Sequence, residues 1–267
     1  MKGKGTLVII GGAEDKAESC LILRKFVELA GGEKAKLVIL TAATQYPVEV
    51  GTTYQKVFSR LGCTQVELFD VPDRLTANEQ RALSLIKQAT GVFFTGGDQL
   101  RITSSLGGTK LLALLKECYD TGTVLAGTSA GASVMSSTMI SEGDSDSSPK
   151  LNTLKMSPGM GLVSEVVIDQ HFAQRGRIGR LLTAVGQNPS VLGLGLDEDT
   201  AVLVNNNKIL VWGSQTVTVL DGKKIAHTNA SLADPEQHLA LTEVVVHILP
   251  HGYGFDLNTR NPILPRD

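Results

Sequence analysis

The chain has 267 residues, 42% of them hydrophobic and 19% charged, an ordinary globular composition that excludes a disordered or fibrous chain. A formal net charge of −2 speaks against a general nucleic-acid binder. No apolar run is long enough for a membrane span, and the N-terminal MKGKGTLVIIGGAEDK lacks the long apolar region and small-residue cleavage site of a secretory signal. A cytoplasmic protein with neither nucleic acid nor membrane as partner is therefore expected.

Along the first two thirds, short apolar runs alternate with helical patterns. Thr6–Ile10, Lys36–Thr41, Gln65–Phe69, Gly91–Thr95 and Thr123–Ala126 read as strands, apolar without strict alternation, as strands covered on both faces should be. Ala17–Ala30, Val50–Leu61, Ala77–Ala89 and Lys110–Tyr119 carry apolar residues at helical spacing. Thr76 with Glu79 has the form of a capping box, and Gly31 and Gly62 stand where a helix-terminating glycine belongs. Such an order predicts an α/β fold, a mostly parallel sheet with helices on both faces.

After Ile140 the texture changes. Ser141–Lys150 reads as a polar loop, Glu165–Asp169 and Val191–Leu196 as strands, and Arg177–Val185 as a helix between them. From Ala201 onward the runs AVLV, KILVWG, TVTVL, KKIAHT and TEVVVHIL suggest closely spaced antiparallel strands, with Asp221-Gly222 as a two-residue hairpin turn. No linker or repeat is evident, so the expectation is a single α/β domain over 1–267, with a parallel core over 1–200 and a β-rich extension over 201–267.

Thr123–Ser133 (TVLAGTSAGAS) places G-x-S-x-G between an apolar strand and a helix start, the setting in which that pentapeptide presents a nucleophile. Gly127, Ala130 and Gly131 supply the small neighbours that a sharp turn at Ser129 needs, and the following helix start favours an oxyanion. Among five histidines, His171 alone follows a predicted strand of the core, at the carboxyl edge where ligands bind, and is the candidate base. The orienting acid stays open among Glu198, Asp197, Asp199, Asp144 and Asp146. Gly96-Gly97 ends another strand, so Gly97 could donate the second oxyanion N–H beside that of Ala130. Ile10-Gly11-Gly12-Ala13 has the same form without a nucleotide-binding fingerprint. Cys20, Cys63 and Cys118 are far apart, and His247 and His251 lack a third ligand, so no metal and no cofactor is expected.

Taken together, IIGGAED, TGGDQ, GTSAGAS, EGDSD, PGMGL, VIDQHFAQRGRIGRL and VLGLGLDEDTA resemble the cyanophycinases, a serine peptidase family that also includes aspartyl dipeptidase. The resemblance runs along most of the chain, and DQHFAQRGRIGRL is its most specific part. It implies a three-layer, class I glutamine-amidotransferase-like fold and a Ser129–His171–Glu198 triad. It also implies a homodimer and exo-hydrolysis of cyanophycin, a polyaspartate carrying arginine on its β-carboxylates, to β-Asp-Arg dipeptides. The residue chemistry suits that substrate. Asp169 could pair with a guanidinium or ammonium, Gln99 and Gln170 offer neutral hydrogen bonds, and Arg175, Arg177 and Arg180 could hold carboxylates. Three other readings remain: an aspartyl dipeptidase-like peptidase, an ammonia-passing amidotransferase, which would normally carry cysteine at the elbow, and a non-catalytic binding protein.

Overall fold

Five strands with apolar residues on both faces form the centre of the computed structural model, which describes residues 3–145 and 148–265. β1 (Leu7–Ile10), β2 (Lys36–Leu40), β3 (Gln65–Phe69), β4 (Gly91–Phe94) and β5 (Val124–Thr128) lie parallel in the order β1-β5-β4-β2-β3. Successive side chains of β1 part to opposite faces, Leu7 and Ile9 into one apolar cluster and Val8 and Ile10 into another. α1 (Leu21–Leu29) and α2 (Pro47–Arg60) cover the second face. α3 (Gln80–Gln88), α4 (Gln99–Leu106) and α5 (Lys110–Asp120) cover the first. Because the five strands run the same way, the turns after each of them open on one edge.

A second sheet was not foreseen. After α6 (Ala130–Ser133), the strands β6 (Thr138–Gly143) and β7 (Leu154–Pro158) form a hairpin. β8 (Val166–Gln170) and β9 (Leu192–Leu196) are parallel to one another, as expected, but belong to a separate four-stranded sheet with β12 (Thr216–Asp221) and β13 (Val245–Pro250). One face of this sheet shares the apolar cluster of the first sheet. Its other face carries α7 (Ile178–Gln187), packed through Leu181, Ala184 and Val185 onto Val167 and Leu220. β10 (Thr200–Asn205), β11 (Lys208–Gly213), β14 (Gly254–Asp256) and β15 (Asn261–Ile263) extend the first sheet in antiparallel fashion beyond β1.

Several local readings are corrected. The helix expected from Ala17 starts at Leu21, because the Asp15 carboxylate accepts the N–H groups of Ala17, Glu18 and Cys20 at 2.8–2.9 Å and holds them in turns. Thr76 and Glu79 form no capping box. Thr76–Asn78 is a 3-10 turn, and the Thr76 N–H goes to Asp73 at 2.8 Å instead. The polar stretch from Ser141 is not all loop, since β6 runs to Gly143. KKIAHT forms no strand beyond one bridge at Thr228, and Asp221-Gly222 is no hairpin turn: β12 pairs with β13, which begins only at Val245. The Asp221 carboxylate serves Lys223 N–H at 2.8 Å and the Arg260 guanidinium at 2.5 Å. The tight hairpin lies between β10 and β11, where Asn206 and Asn207 have φ of 48° and 57°, the two positive angles of a type I′ turn. Gly31 and Gly62, with φ of 117° and 97°, end their helices as expected.

Phe93 of β4, fully buried, touches Phe26, Tyr54 and Phe58 with ring centroids 4.6–5.8 Å away. Phe93→Ala should leave a void under both helices of that face and lower stability by about 3–5 kcal/mol. Urea unfolding with an unchanged midpoint would contradict this account of the core.

Candidate active site

Ser129 follows β5 with φ 53° and ψ −112°, a left-handed angle for a residue with a side chain. The two glycines of the pentapeptide permit that turn. A Cβ on Gly127 would lie 2.2 Å from the Gly131 oxygen, and one on Gly131 would lie 2.5 Å from the Phe94 oxygen. The turn is pinned to β1 by the Ser129 N–H, which donates to Ile10 O at 3.0 Å. The helix that follows has only four residues, so its macrodipole is small, and what it offers an oxyanion is the N–H of its first residue, Ala130.

The base and acid arrive from the second sheet. His171 leaves β8 with φ 50°, its N–H donating to Gly11 O at 2.8 Å. Its ring lies against Gly12, where a Cβ would be 2.3 Å from Cε1. Ser129 Oγ is 2.9 Å from His171 Nε2, and His171 Nδ1 is 2.6 Å from Glu198 Oε1. A carboxylate only accepts, so Nδ1 carries the proton and Nε2 turns its lone pair to the serine hydroxyl. Burial first, then the Arg175 and Arg177 charges, push the His171 pKa below its ordinary value against the raising influence of Glu198. The ring is thus a neutral acceptor at neutral pH. A serine so placed can lose its proton to the ring as it attacks a carbonyl.

Gly97 has φ 144°, and a Cβ there would meet the Ala43 oxygen at 2.2 Å. Neighbouring Gly96 lies against Ser129, its would-be Cβ 3.3 Å from Ser129 Cβ. Among the described residues the Gly97 N–H has no acceptor. Of the competing acids, Asp197 is filled by Ala173 N–H, Thr216 N–H and Thr216 Oγ1. Asp199 accepts from Asp15 N–H. Asp144 lies exposed in the hairpin, and Asp146 lies outside the described residues.

The ligand set divides. Arg175 is exposed beside His171. Asp169, with no exposure left, faces inward and accepts from Arg180 through a two-pronged contact and from Arg177 at 3.3 Å. Asp169 is therefore no free partner for a substrate cation, and Arg177 and Arg180 are engaged inward, although two guanidinium charges against one carboxylate leave one positive charge in excess and Arg177 Nε has no partner among the described residues. Burial lowers the Arg177 pKa to about 10, so it stays charged. Arg180 also donates to Gly143 O at 3.0 Å, and Gln99 donates to Ile140 O and Ser141 O at 3.1 and 2.6 Å, so both hold the β6–β7 hairpin beside the site. Gln170 is buried and accepts from Ser133 Oγ at 2.9 Å. Sequence reasoning missed Gly12 under the imidazole and Gln174, whose side chain accepts the Glu198 N–H at 3.0 Å. The Gly11-Gly12 turn after the first strand was the available signal for the former.

The fold and this Ser–His–Glu arrangement define a serine peptidase-type site. The model of peptidase family S51 matches residues 7–212, and the chain belongs to that family and is a peptidase. It is 38% identical over 262 residues to a cyanophycinase from Geminocystis herdmanii (strain PCC 6308), covering 97% of this chain and 96% of that protein. A cyanophycinase from Trichormus variabilis is 38% identical over 98% of this chain and 88% of its own, and one from Synechococcus elongatus 35% identical over 96% and 80%. Among solved structures, a peptidase from an acI-B1 Actinobacterium superposes with TM-score 0.64 at 22% identity over 92% of this chain and 99% of that one. A Peptidase E protein from Listeria monocytogenes EGD-e gives TM-score 0.57 at 14% identity over 80% and 100%. These two likenesses support the fold alone.

Two predictions test the electrostatics. In a proton NMR titration the His171 ring should titrate below an ordinary histidine, and Arg175→Gln should move its midpoint up, because a positive charge that favours the neutral ring is gone. A midpoint that stays or falls would contradict this. Arg180→Met should destabilise the protein by about 3 kcal/mol by stripping Asp169 of its main partner, read as a lower urea midpoint. An unchanged midpoint would return Arg180 to the role of a substrate ligand.

Proposed function

We propose that the protein is a serine exopeptidase that hydrolyses cyanophycin to β-Asp-Arg dipeptides through an acyl-enzyme on Ser129. The observation that carries the mechanism is the continuous chain Ser129 Oγ–His171 Nε2–Glu198 Oε1, with contacts of 2.9 and 2.6 Å. The full-length similarity to cyanophycinases supports the substrate.

In this reading His171 takes the Ser129 proton as Oγ attacks a backbone carbonyl of the polyaspartate. The oxygen becomes an anion met by the N–H groups of Gly97 and Ala130. Glu198 holds Nδ1–H and stabilises the imidazolium, which then protonates the leaving amine as the peptide bond breaks. Water, deprotonated by the same ring, cleaves the ester and returns the proton to Ser129. Arg175 is the exposed cation for a substrate carboxylate, and the Oε1 of Gln99, which accepts no hydrogen bond among the described residues, accepts from the substrate. Asp169, Gln170, Arg177 and Arg180 act behind these, fixing β8 and the hairpin.

Ser129→Ala should lower kcat on cyanophycin by roughly a factor of 10^4 or more with the circular dichroism spectrum retained. Mass analysis of wild-type products should find β-Asp-Arg, and an α-linked Asp-Arg peptide should persist. Turnover by Ser129→Ala would remove the nucleophile. Cleavage of the α-linked peptide at a comparable rate would favour an aspartyl dipeptidase-like enzyme instead.

A further inference from the structure

Behind the elbow lies a buried carboxylate that the chemistry above does not use. Glu14, 3% exposed, follows the first Gly-Gly turn. Its Oε2 accepts the hydroxyl of Thr128 at 2.5 Å, and its Oε1 accepts the hydroxyl of Tyr54 and pairs with Lys16 Nζ at 3.0 Å. Tyr54 is itself buried, and that burial, followed by the Glu14 charge, drives its pKa well above the ordinary value, so it remains a phenol that donates. An acid with three donors in so dry a place is held in one orientation.

Two features tie this cluster to the reacting groups. Thr128 is the last residue of β5 and precedes Ser129, so its side chain fixes the strand end from which the left-handed serine turn departs. On its other side, the segment carrying Glu14 touches the His171 arm. Gly11 O accepts the His171 N–H, Gly12 lies under the imidazole, and Gly12 O accepts the Asp199 N–H at 2.9 Å, next to Glu198. Ala13, between Gly12 and Glu14, has φ 47°, so the segment reaches both arms only through a backbone conformation that Cβ-bearing residues rarely adopt.

We infer that Glu14 is a positioning residue for the proposed reaction: through Thr128 it sets where the Ser129 elbow sits relative to the imidazole that the same segment supports. The inference rests on Ser129 acting as nucleophile. It goes further, because a buried carboxylate whose only role was stability would be replaceable without altering the reactivity of a folded site.

The test uses the intact protein and two positions. Thr128→Val removes only the hydroxyl that Glu14 grips and keeps the shape, whereas Thr128→Ser keeps the hydroxyl. Glu14→Gln keeps the shape and removes the charge. The readouts are kcat and KM on cyanophycin and the rate of covalent labelling by a serine-directed fluorophosphonate, with Ser129→Ala as the control for the underlying mechanism. The expected result is a fall of about tenfold or more in kcat and in labelling rate for Thr128→Val and Glu14→Gln, with KM nearly unchanged and thermal unfolding still cooperative. Thr128→Ser should stay within about threefold of the parent, and the Glu14→Gln, Thr128→Val double variant should lose little more than Thr128→Val alone, since both act on the one contact between these side chains. If Glu14→Gln does not fold, the two Thr128 variants decide. Parent-like kcat and labelling in folded Thr128→Val, or additive losses in the double variant, would overturn the inference. Labelling that survives Ser129→Ala would instead overturn the mechanism on which it rests.

Discussion

The site depends on one close approach. The carboxyl ends of two sheets meet at Gly11 and Gly12, where there is no room for a side chain: a Cβ on Gly11 would lie 2.0 Å from the Asp197 oxygen, and one on Gly12 would enter the His171 ring. The first sheet contributes Ser129 at the end of β5, pinned to β1 through Ile10 O. The second contributes His171 at the end of β8 and Glu198 just past β9. Backbone hydrogen bonds cross at this point, from His171 N–H to Gly11 O and from Asp199 N–H to Gly12 O. These contacts are rigid and short, so the serine–imidazole distance follows from how the two sheets pack rather than from any loop alone.

Buried charge serves the same geometry. Asp169, Arg177 and Arg180 lie inward between β8, the start of α7 and the hairpin, with Arg180 linking Asp169 to Gly143 O. A buried ion pair adds little net stability compared with well-packed apolar residues, but breaking it leaves an uncompensated charge. What it fixes is orientation: β8 cannot shift relative to the hairpin without disturbing that pair. Arg175 remains outside this network, and its charge weakens the basicity of His171 while Glu198 opposes it.

Much of this was legible in the sequence. Four of the five core strands were readable because residues buried on both faces leave nearly continuous apolar runs, the edge strand β3 (QVELF) because its apolar residues alternate with polar ones, and the serine turn because its glycines stand where the backbone admits no Cβ. The second sheet was not, since β8 and β9 form a parallel pair that looks the same whichever sheet it joins. α4 was missed because QLRITSSL shows little apolar periodicity; it is set by Asp98, whose carboxylate caps the Leu100 N–H. The inward pairing of Arg177 and Arg180 with Asp169 was not legible. Residue type announces a guanidinium, but whether it faces solvent depends on the buried Asp169 of the preceding strand, 8 and 11 residues back. The β12–β13 pairing across residues 222–244 was likewise beyond a rule that looks for two-residue turns.

The choice of acid shows why position along the chain was insufficient and coordination was not. Five carboxylates crowd this edge: Glu14, Asp169, Asp197, Asp199 and Glu198. Three are saturated. Glu14 accepts from Tyr54, Thr128 and Lys16, Asp169 from two guanidinium groups, and Asp197 from two N–H groups and the Ala173–Thr216 framework they belong to. Among the described residues, the Glu198 carboxylate accepts from His171 alone. A saturated carboxylate has its charge already balanced by fixed donors and gains little when a neighbour becomes cationic. An acid with spare accepting capacity, facing one imidazole, responds fully to a positive charge on that ring. Asp199, which accepts only the Asp15 N–H, also has room, so it is the contact with the imidazole, made among the described residues by Glu198 alone, and not the count by itself that singles out Glu198.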